Sequence, residues 1–365
     1  MINPATKKIL AIQYSQTGQL AAVMDALLAP LAACPNITMH REILRHAPGR
    51  EYPYPWPFWT FMDTFPETVA ADPPPLAPLT IDPASPAAHN FDLVIIGYPV
   101  WFLSPPPAIT AFLRGDAARK LLRDRPIVTV TACRNMWLMA QEKIKELLRD
   151  TGARHCDHVA LVDRGSALAT FITTPRWLLT GRKNAFLGLP PAGVPAQDIA
   201  ACSRFGRALL DALEQPPFLE CGGRGSEATG DTALDNAQMS DACQNSVTAS
   251  PCHRALKPPT PPPLLAGLCA CAVDTRLIAS ERIGIRSFRV WAKILRACGR
   301  PGAPLRRVML FIYTVTLLVM IATAVPLSMA IKALLRPLLR ARLARLKHDY
   351  EQPSGSGSER LTQFS

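Results

Sequence analysis

The stretch KKILAIQYSQTGQLAAVMDALLAPL, residues 7–31, changes its apolar period halfway along, and that change points to the fold. Lys7 to Gln13 reads as a short buried strand, whereas Leu20 to Leu31 carries its apolar residues at helical spacing. Between them lie Tyr14, Ser15, Gln16, Thr17, Gly18 and Gln19. Strand candidates recur at Ile37 to Leu44, Phe91 to Gly97, Pro126 to Ala132 and Cys156 to Val162. The run FDLVIIG at 91–97 is too continuous for a half-exposed strand, which places it centrally in a parallel sheet. Helical patterns lie at about Asn135 to Arg149 and at Gln197 to Leu213. Such alternation predicts a three-layer α/β sandwich around a parallel five-stranded sheet with right-handed crossovers.

With 48% apolar and 19% charged residues, the 365-residue chain is neither wholly disordered nor fibrous. Its 36 prolines concentrate at 48–107, where 15 fall, and at 258–263, where 5 fall, so neither stretch is continuous helix. Residues 1–220 carry 21 Lys and Arg against 19 Asp and Glu, while 221–365 carry 19 against 9. The basicity therefore belongs to the C-terminal part; the nearly neutral N-terminal part argues against a nucleic-acid partner. Ten cysteines include no CxxC pair, and the start MINPATKKILAIQYSQ lacks the apolar core of a secretory signal, which predicts a reducing, cytoplasmic setting. Cys269/Cys271 and Cys252 beside His253 have poor zinc spacing, so no metal site is expected. The absence of HExxH, Walker and GxSxG motifs removes the zincin, NTPase and ordinary lipase readings.

Beyond residue 220 the character changes. Residues 221–263, running from CGGRGSEATGD to KPPTPPP, have linker composition. The basic region 264–307 contains Arg282, Arg286, Arg289, Lys293, Arg296 and Arg300 on one helical face, opposite Ile283, Phe288, Val290, Trp291, Ile294 and Leu295. That layout fits a helix lying in a membrane surface. Val308 to Ile331 is 24 residues without a charge, about 36 Å as a helix and long enough to cross a bilayer. Six basic residues precede it within the flank and six follow, so the positive-inside rule ties. A tail anchor, a re-entrant hairpin bent at Pro326 and a helix lying flat all remain open. The tail at 332–365 starts basic and ends in PSGSGSER, a disordered composition.

Three loops share the C-terminal edge of the expected sheet, where open α/β folds bind ligands. Ser15, Gln16, Thr17, Gly18 and Gln19 join the first strand to the first helix; amides converging on a helix N-terminus make a phosphate cradle, although SxTG also serves as an ordinary cap. Tyr98, Pro99, Val100, Trp101 and Phe102 follow the third strand, and Cys133, Arg134, Asn135 and Met136 follow the fourth. A planar apolar ring lying against Tyr98 and Trp101, its edge bonded by amides near Cys133–Asn135, fits this pattern. His155 and His158 are expected on opposite faces of the fifth strand by simple alternation. The insert Tyr52 to Trp59 reads as a lid, a membrane-touching patch or a packed cover on a sheet edge, and Phe171, Trp177, Leu178 and Leu179 are candidates for an apolar channel.

The SxTGQ loop, the GYPVWFLSPPP loop and the CRNMWLMAQEK segment together resemble the flavodoxin-like NAD(P)H-dependent flavin proteins, most closely the branch called dialkylresorcinol condensing enzymes. The similarity runs over 1–215 and, through GLCA, RLIASERIG and the apolar segment, into 265–350. It implies a flavodoxin-like domain at 1–220 that binds FMN, with NAD(P)H as a co-substrate and the residues of the three loops holding the cofactor. Where flavodoxins carry a second hydroxyl, in SxTGxT, this chain has Leu20. The implied reaction is oxidation of an alkyl cyclohexanedione to a dialkylresorcinol, on a hydrophobic substrate, at the cytoplasmic side of the inner (plasma) membrane. Arg134 would then face reduced flavin or an enolate, or be a solvated loop charge. No catalytic residue is assigned, a homo-oligomer is left open, and the alternative is a flavin-free, membrane-anchored interaction module on the same fold.

Overall fold

A computed structural model describes residues 6–85, 90–214, 265 and 273–351. The linker at 221–263, Cys269, Cys271 and the tail from 352 lie outside the described residues. Five strands, β1 (Lys7–Gln13), β2 (Ile37–Ile43), β3 (Leu93–Tyr98), β4 (Pro126–Cys133) and β5 (Arg154–Val162), form one parallel sheet in the order β2-β1-β3-β4-β5. That order, with helices on both faces, is the flavodoxin-like arrangement, and the chain is a flavodoxin-like three-layer α/β sandwich.

Strand alternation divides the core in two. Ile9, Ala11, Leu93, Ile95, Val128 and Val130 face α1 (Gln19–Ala32), which contributes Leu20, Val23, Met24, Leu27 and Leu31, and α9 (Ser203–Glu214), which contributes Phe205, Leu209 and Leu213. Leu10, Ile12, Val94, Ile96 and Ile127 face the opposite layer of α4 (Pro107–Arg114), α5 (Asp116–Leu122) and α6 (Leu138–Asp150). The central strand β3 thus reads as nearly uninterrupted apolar sequence because both of its faces are covered, whereas the edge strand β2 is polar and mostly uncovered. The expected 197–213 helix divides into α8 (Ala196–Ala200) and α9.

The proline-rich insert between β2 and β3 covers the sheet edge. Buried Glu42 on β2 accepts from Thr80 N at 2.9 Å, Thr80 Oγ1 at 2.7 Å and Ile81 N at 3.1 Å. Prolines on an edge segment leave no ladder donors for another chain to pair with. Two short helices, α2 (Phe58–Asp63) and α3 (Phe65–Ala70), complete the insert, and α7 (Ala167–Thr180) follows β5.

The C-terminal part packs onto the sandwich. Helix α10 (Thr275–Ala297) crosses from α6 to α3, and α11 (Pro304–Glu351) follows. Ala292 and Leu295 join Met62, Phe65, Leu310 and Tyr313 in one apolar cluster. Arg306, 1% exposed, is held by Asp63 at 2.6 Å and Glu67 at 2.6 Å. This alters the face predicted for 280–300. Ile278, Glu281, Ile285, Ala292 and Leu295 are buried, whereas Ile283, Val290 and Ile294, expected on the apolar face, are exposed. The reason is that the buried stripe follows the surfaces of α3 and α6, not the axis opposite the arginines.

Candidate functional site

The loop between β1 and α1 lies at the C-terminal edge. Gly18 takes φ 80°, a left-handed conformation, and nothing lies within 4 Å of where its Cβ would be. Helix α1 has no side-chain cap at Gly18, and among the described residues the amides of Gln16 to Leu20 take no protein acceptor. Ser15 Oγ accepts from Ala21 N at 3.3 Å, while Gln16 is fixed between Tyr14 OH at 2.6 Å and the carbonyls of Tyr52 and Pro53, each at 3.0 Å. Gln19 turns sideways, its Oε1 accepting from Val194 N at 2.8 Å. Leu20 is in the core, 2% exposed. A cradle of backbone donors on the positive end of a fourteen-residue helix suits a phosphate, and it is the backbone plus Thr17 that would hold one.

The second loop departs from expectation. Tyr98 is fully buried, its hydroxyl donating to Gln141 Oε1 on α6, so its ring does not face the sheet edge. Trp101 is 8% exposed and forms an edge-on aromatic wall with Tyr14, Tyr52 and Trp56. Tyr98 ends β3 with its side chain on the α6 side, and the aromatic insert supplies the partners that enclose Trp101. Pro99, Val100 and Phe102 remain partly exposed, Phe102 at φ 49° with its ring against Phe61 and Phe65.

The third loop lies beside it. Burial pushes the Cys133 thiol above its usual range, helped by Glu281, while the Asn135 amide donates to its sulfur. Asn135 Oδ1 takes the Met136 amide at 2.9 Å. The Met136 amide, beside those expected to bond a ring edge, is therefore satisfied within the loop. Arg134 is not a solvated charge: its guanidinium lies 4.0 Å from the centre of the Phe171 ring on α7. Val273 and Ile278 of the C-terminal part pack on Cys133, Trp137 and Leu138. Glu281, 1% exposed, accepts from Met139 N at 3.1 Å and caps α6, which has no cap of its own.

Behind this loop lies a buried polar cluster. A register irregularity between Ile127 and Val128 leaves Cys156 as an extra residue on β5, and His155 and His158 consequently reach the same hydroxyl. Thr129 Oγ1 is 2.9 Å from His155 Nε2 and 2.8 Å from His158 Nδ1, and it accepts from Gln141 Nε2 at 3.2 Å. The expectation of opposite faces is corrected by the bulge, which no apolar pattern discloses. Burial lowers the His155 pKa to about 3 and holds His158 well below the ordinary imidazole value. His46, in the aromatic wall beside Tyr14 and Tyr52, is 4% exposed with no partner for either nitrogen among the described residues, and burial lowers its pKa to about 4.

A cavity of about 750 Å³ opens between the insert and the start of α11, lined among others by Arg50, Tyr52, Trp59, Arg307, Leu310 and Phe311. Tyr52 belongs both to this cavity and to the wall beside Gln16.

Fold and loops together define a flavodoxin-like α/β protein with a row of backbone donors at its sheet edge. No protein-family model matches the chain, and no curated protein does. Among solved structures it is similar to a flavoprotein in complex with FMN from Lactobacillus acidophilus NCFM, at 15% identity over 42% of this chain and 91% of that one, with a TM-score of 0.32. Oxidised flavodoxin 1 from Bacillus cereus is 14% identical over 55% and 95%, with a TM-score of 0.31. An NADH:FMN oxidoreductase in its apo form is 15% identical over 58% and 94%, again at 0.31.

Proposed function

We propose that this chain is an FMN-dependent oxidoreductase that works at a membrane surface on a hydrophobic small molecule. The observation that carries the reading is the row of amides from Gln16 to Leu20, without an acceptor among the described residues, around left-handed Gly18 at the N-terminus of α1. Bound there, FMN would supply a two-electron acceptor for chemistry that no side chain in the loops can perform alone. Gln16 to Leu20 and the Thr17 hydroxyl would hold its phosphate. The loops at Pro99–Phe102 and Cys133–Met136 would hold the ring, and the packing of Val273 and Ile278 on Cys133 would keep water from that side. Arg134, fixed over Phe171, sits where it would stabilise negative charge developing at the third loop.

The resemblance in the three loops favours a substrate that is an alkyl cyclohexanedione, which would lose a hydride to the flavin and a proton to solvent to become a resorcinol, with the oxidised nicotinamide NAD(P)+ taking the hydride on and leaving as NAD(P)H. The exposed apolar face of α11 and the cavity beside Trp59 and Phe311 suit a substrate delivered from lipid at the cytoplasmic side of a membrane. The burial of Tyr98 and Leu20 favours a second reading, a flavin-free interaction module on the same fold.

FMN and riboflavin, which differ by the phosphate, separate the two. The oxidoreductase reading predicts that FMN binds at least about a hundredfold more tightly, from two or more charge-assisted bonds, and that Gly18→Val removes the difference. Equal affinity for the two flavins in the parent chain would refute the cradle, and no binding of either would leave the interaction module.

A further inference from the structure

We propose that the sheet edge carrying the candidate flavin site is itself the lipid-facing surface, with the Phe186–Leu187 hairpin tip, the Phe58–Trp59 pair and the first turns of α11 seated together in an anionic bilayer. The inference rests on the reading that this chain works at a membrane surface, and it names the surface.

The hairpin tip presents a leucine where a turn of its kind favours asparagine or glycine. Phe186 and Leu189 exchange backbone hydrogen bonds at 3.2 and 2.9 Å across Leu187 and Gly188, whose φ values of 48° and 77° are both left-handed. Leu187 is 83% exposed. The turn is braced from behind by Arg176 on α7, which donates to the carbonyls of Arg182 at 3.1 Å and Asn184 at 2.9 Å and to Asn184 Oδ1 at 3.1 Å. Its guanidinium lies 4.6 Å from the centre of the Phe186 ring. An apolar side chain held outward on such a turn gains nothing from water and gains on entering lipid.

A chain of contacts joins this hairpin to α11 along the C-terminal edge of the sheet. At the hairpin's root, Gly193 N donates to Asp163 Oδ2, just past β5, at 2.7 Å, and Val194 N donates to Gln19 at the start of α1. The aromatic insert comes next: Trp56 N donates to the Leu178 carbonyl on α7 at 2.9 Å, and Gln16 in the first loop bonds the carbonyls of Tyr52 and Pro53. Trp59 then stands 6.3 Å from Phe311 on α11. Phe58, Trp59, Phe311 and Leu318 are exposed, as Leu187 is, and exposed aromatics suit the headgroup level. Charge selects lipid over a second copy of the chain. Residues 52–62 are uncharged; 164–195 carry Arg164, Arg176, Arg182 and Lys183, and 304–331 carry Arg306 and Arg307, with no acidic residue in either. The carboxylates of α2 and α3, Asp63 and Glu67, are already matched by Arg306. Apolar anchors beside cations are drawn to anionic headgroups, whereas a two-fold contact between copies would set the same cations against each other. Docked in this way, the three loops open toward lipid, and a hydrophobic substrate reaches them without crossing water.

The test uses the full chain, purified in detergent and reconstituted into phosphatidylglycerol-rich vesicles with plain or brominated acyl chains. Leu187→Trp puts a fluorescent reporter at the tip, and Phe186→Trp repeats it from an ordinary backbone position. Lys120→Trp puts one on the exposed end of α5, which leads into the start of β4 at the opposite edge of the sheet. The emission that each tip reporter adds over the parent should be strongly quenched by the brominated lipid, and that of Lys120→Trp should not. Tip emission equal in the two kinds of vesicle, in a chain that still floats with them, would overturn the proposal and leave membrane association intact. Equal quenching at both edges would overturn it too, because no face would be singled out. Tip emission that is unquenched yet shifts to the blue as the chain dimerises would give the face to a second copy instead. A chain that does not float with the vesicles would overturn this inference and the membrane reading together.

Discussion

Glu281 sits 1% exposed on the amides that open α6, in a place where desolvation raises its pKa to about 8. Its unfolded value is about 4.3, so its favourable contribution is complete below that pH and is lost as pH rises through 8. Glu281→Gln, uncharged and still able to accept from Met139, is expected to match the parent near pH 4. At pH 8 it should exceed the parent by on the order of 3 kcal/mol in denaturant unfolding. The histidine pair titrates in the opposite sense. Held neutral by burial, His155 and His158 stabilise the fold above their unfolded value of about 6.5, and that stability is lost as pH falls toward 3. Thr129→Val strands both imidazoles and Gln141, and should cost about 2–3 kcal/mol at pH 7, whereas Thr129→Ser should cost less than about 1. Little of this was legible in the sequence. Residue types and their loops are readable, but the direction of the Tyr98 ring and the bulge at Cys156 depend on partners distant along the chain.

Elements were read more securely, because period and length are local properties. All five strands lie within about two residues of their expected positions, and FDLVIIG does lie in the middle of the sheet. Where one element meets another, sequence is weaker. Gly206 on α9 illustrates this: a Cβ there would stand 2.0 Å from the Leu27 carbonyl oxygen on α1. Gly206→Ala should therefore destabilise by about 3 kcal/mol, far beyond the helix-propensity gain of about 1, as thermal unfolding would show. Arg306 is the counterpart at the C-terminal helices. Arg306→Gln leaves Asp63 and Glu67 facing each other without their cation, and should loosen the start of α11 by about 3 kcal/mol. Protease cleavage between α10 and α11, slow in the parent and fast in the variant, would report it. The basic face of Arg282, Arg286, Arg289, Lys293 and Arg296 on α10 was legible; what it packs behind was not, since Ile283 and Val290 are as apolar as Ile278 and Ile285.

At the scale of the molecule, the sheet brings three sequence-distant loops to one edge and the C-terminal helices close over part of it. Alternation and handedness point to a three-layer sandwich around a parallel sheet, and the resemblance of the three loops implied the flavodoxin-like arrangement that the order β2-β1-β3-β4-β5 has. The covering of the Cys133 loop by Val273, Ile278 and Glu281 could not be read in the sequence, because more than a hundred residues separate them. The account stands on the edge being a flavin site. The direct measurement is the visible absorption spectrum of the full-length protein purified in detergent, before and after reconstitution with excess FMN. The account predicts a flavin band with one FMN per chain, released on denaturation and absent in Gly18→Val. A parent chain that remains colourless after reconstitution, while folded by circular dichroism, would contradict it.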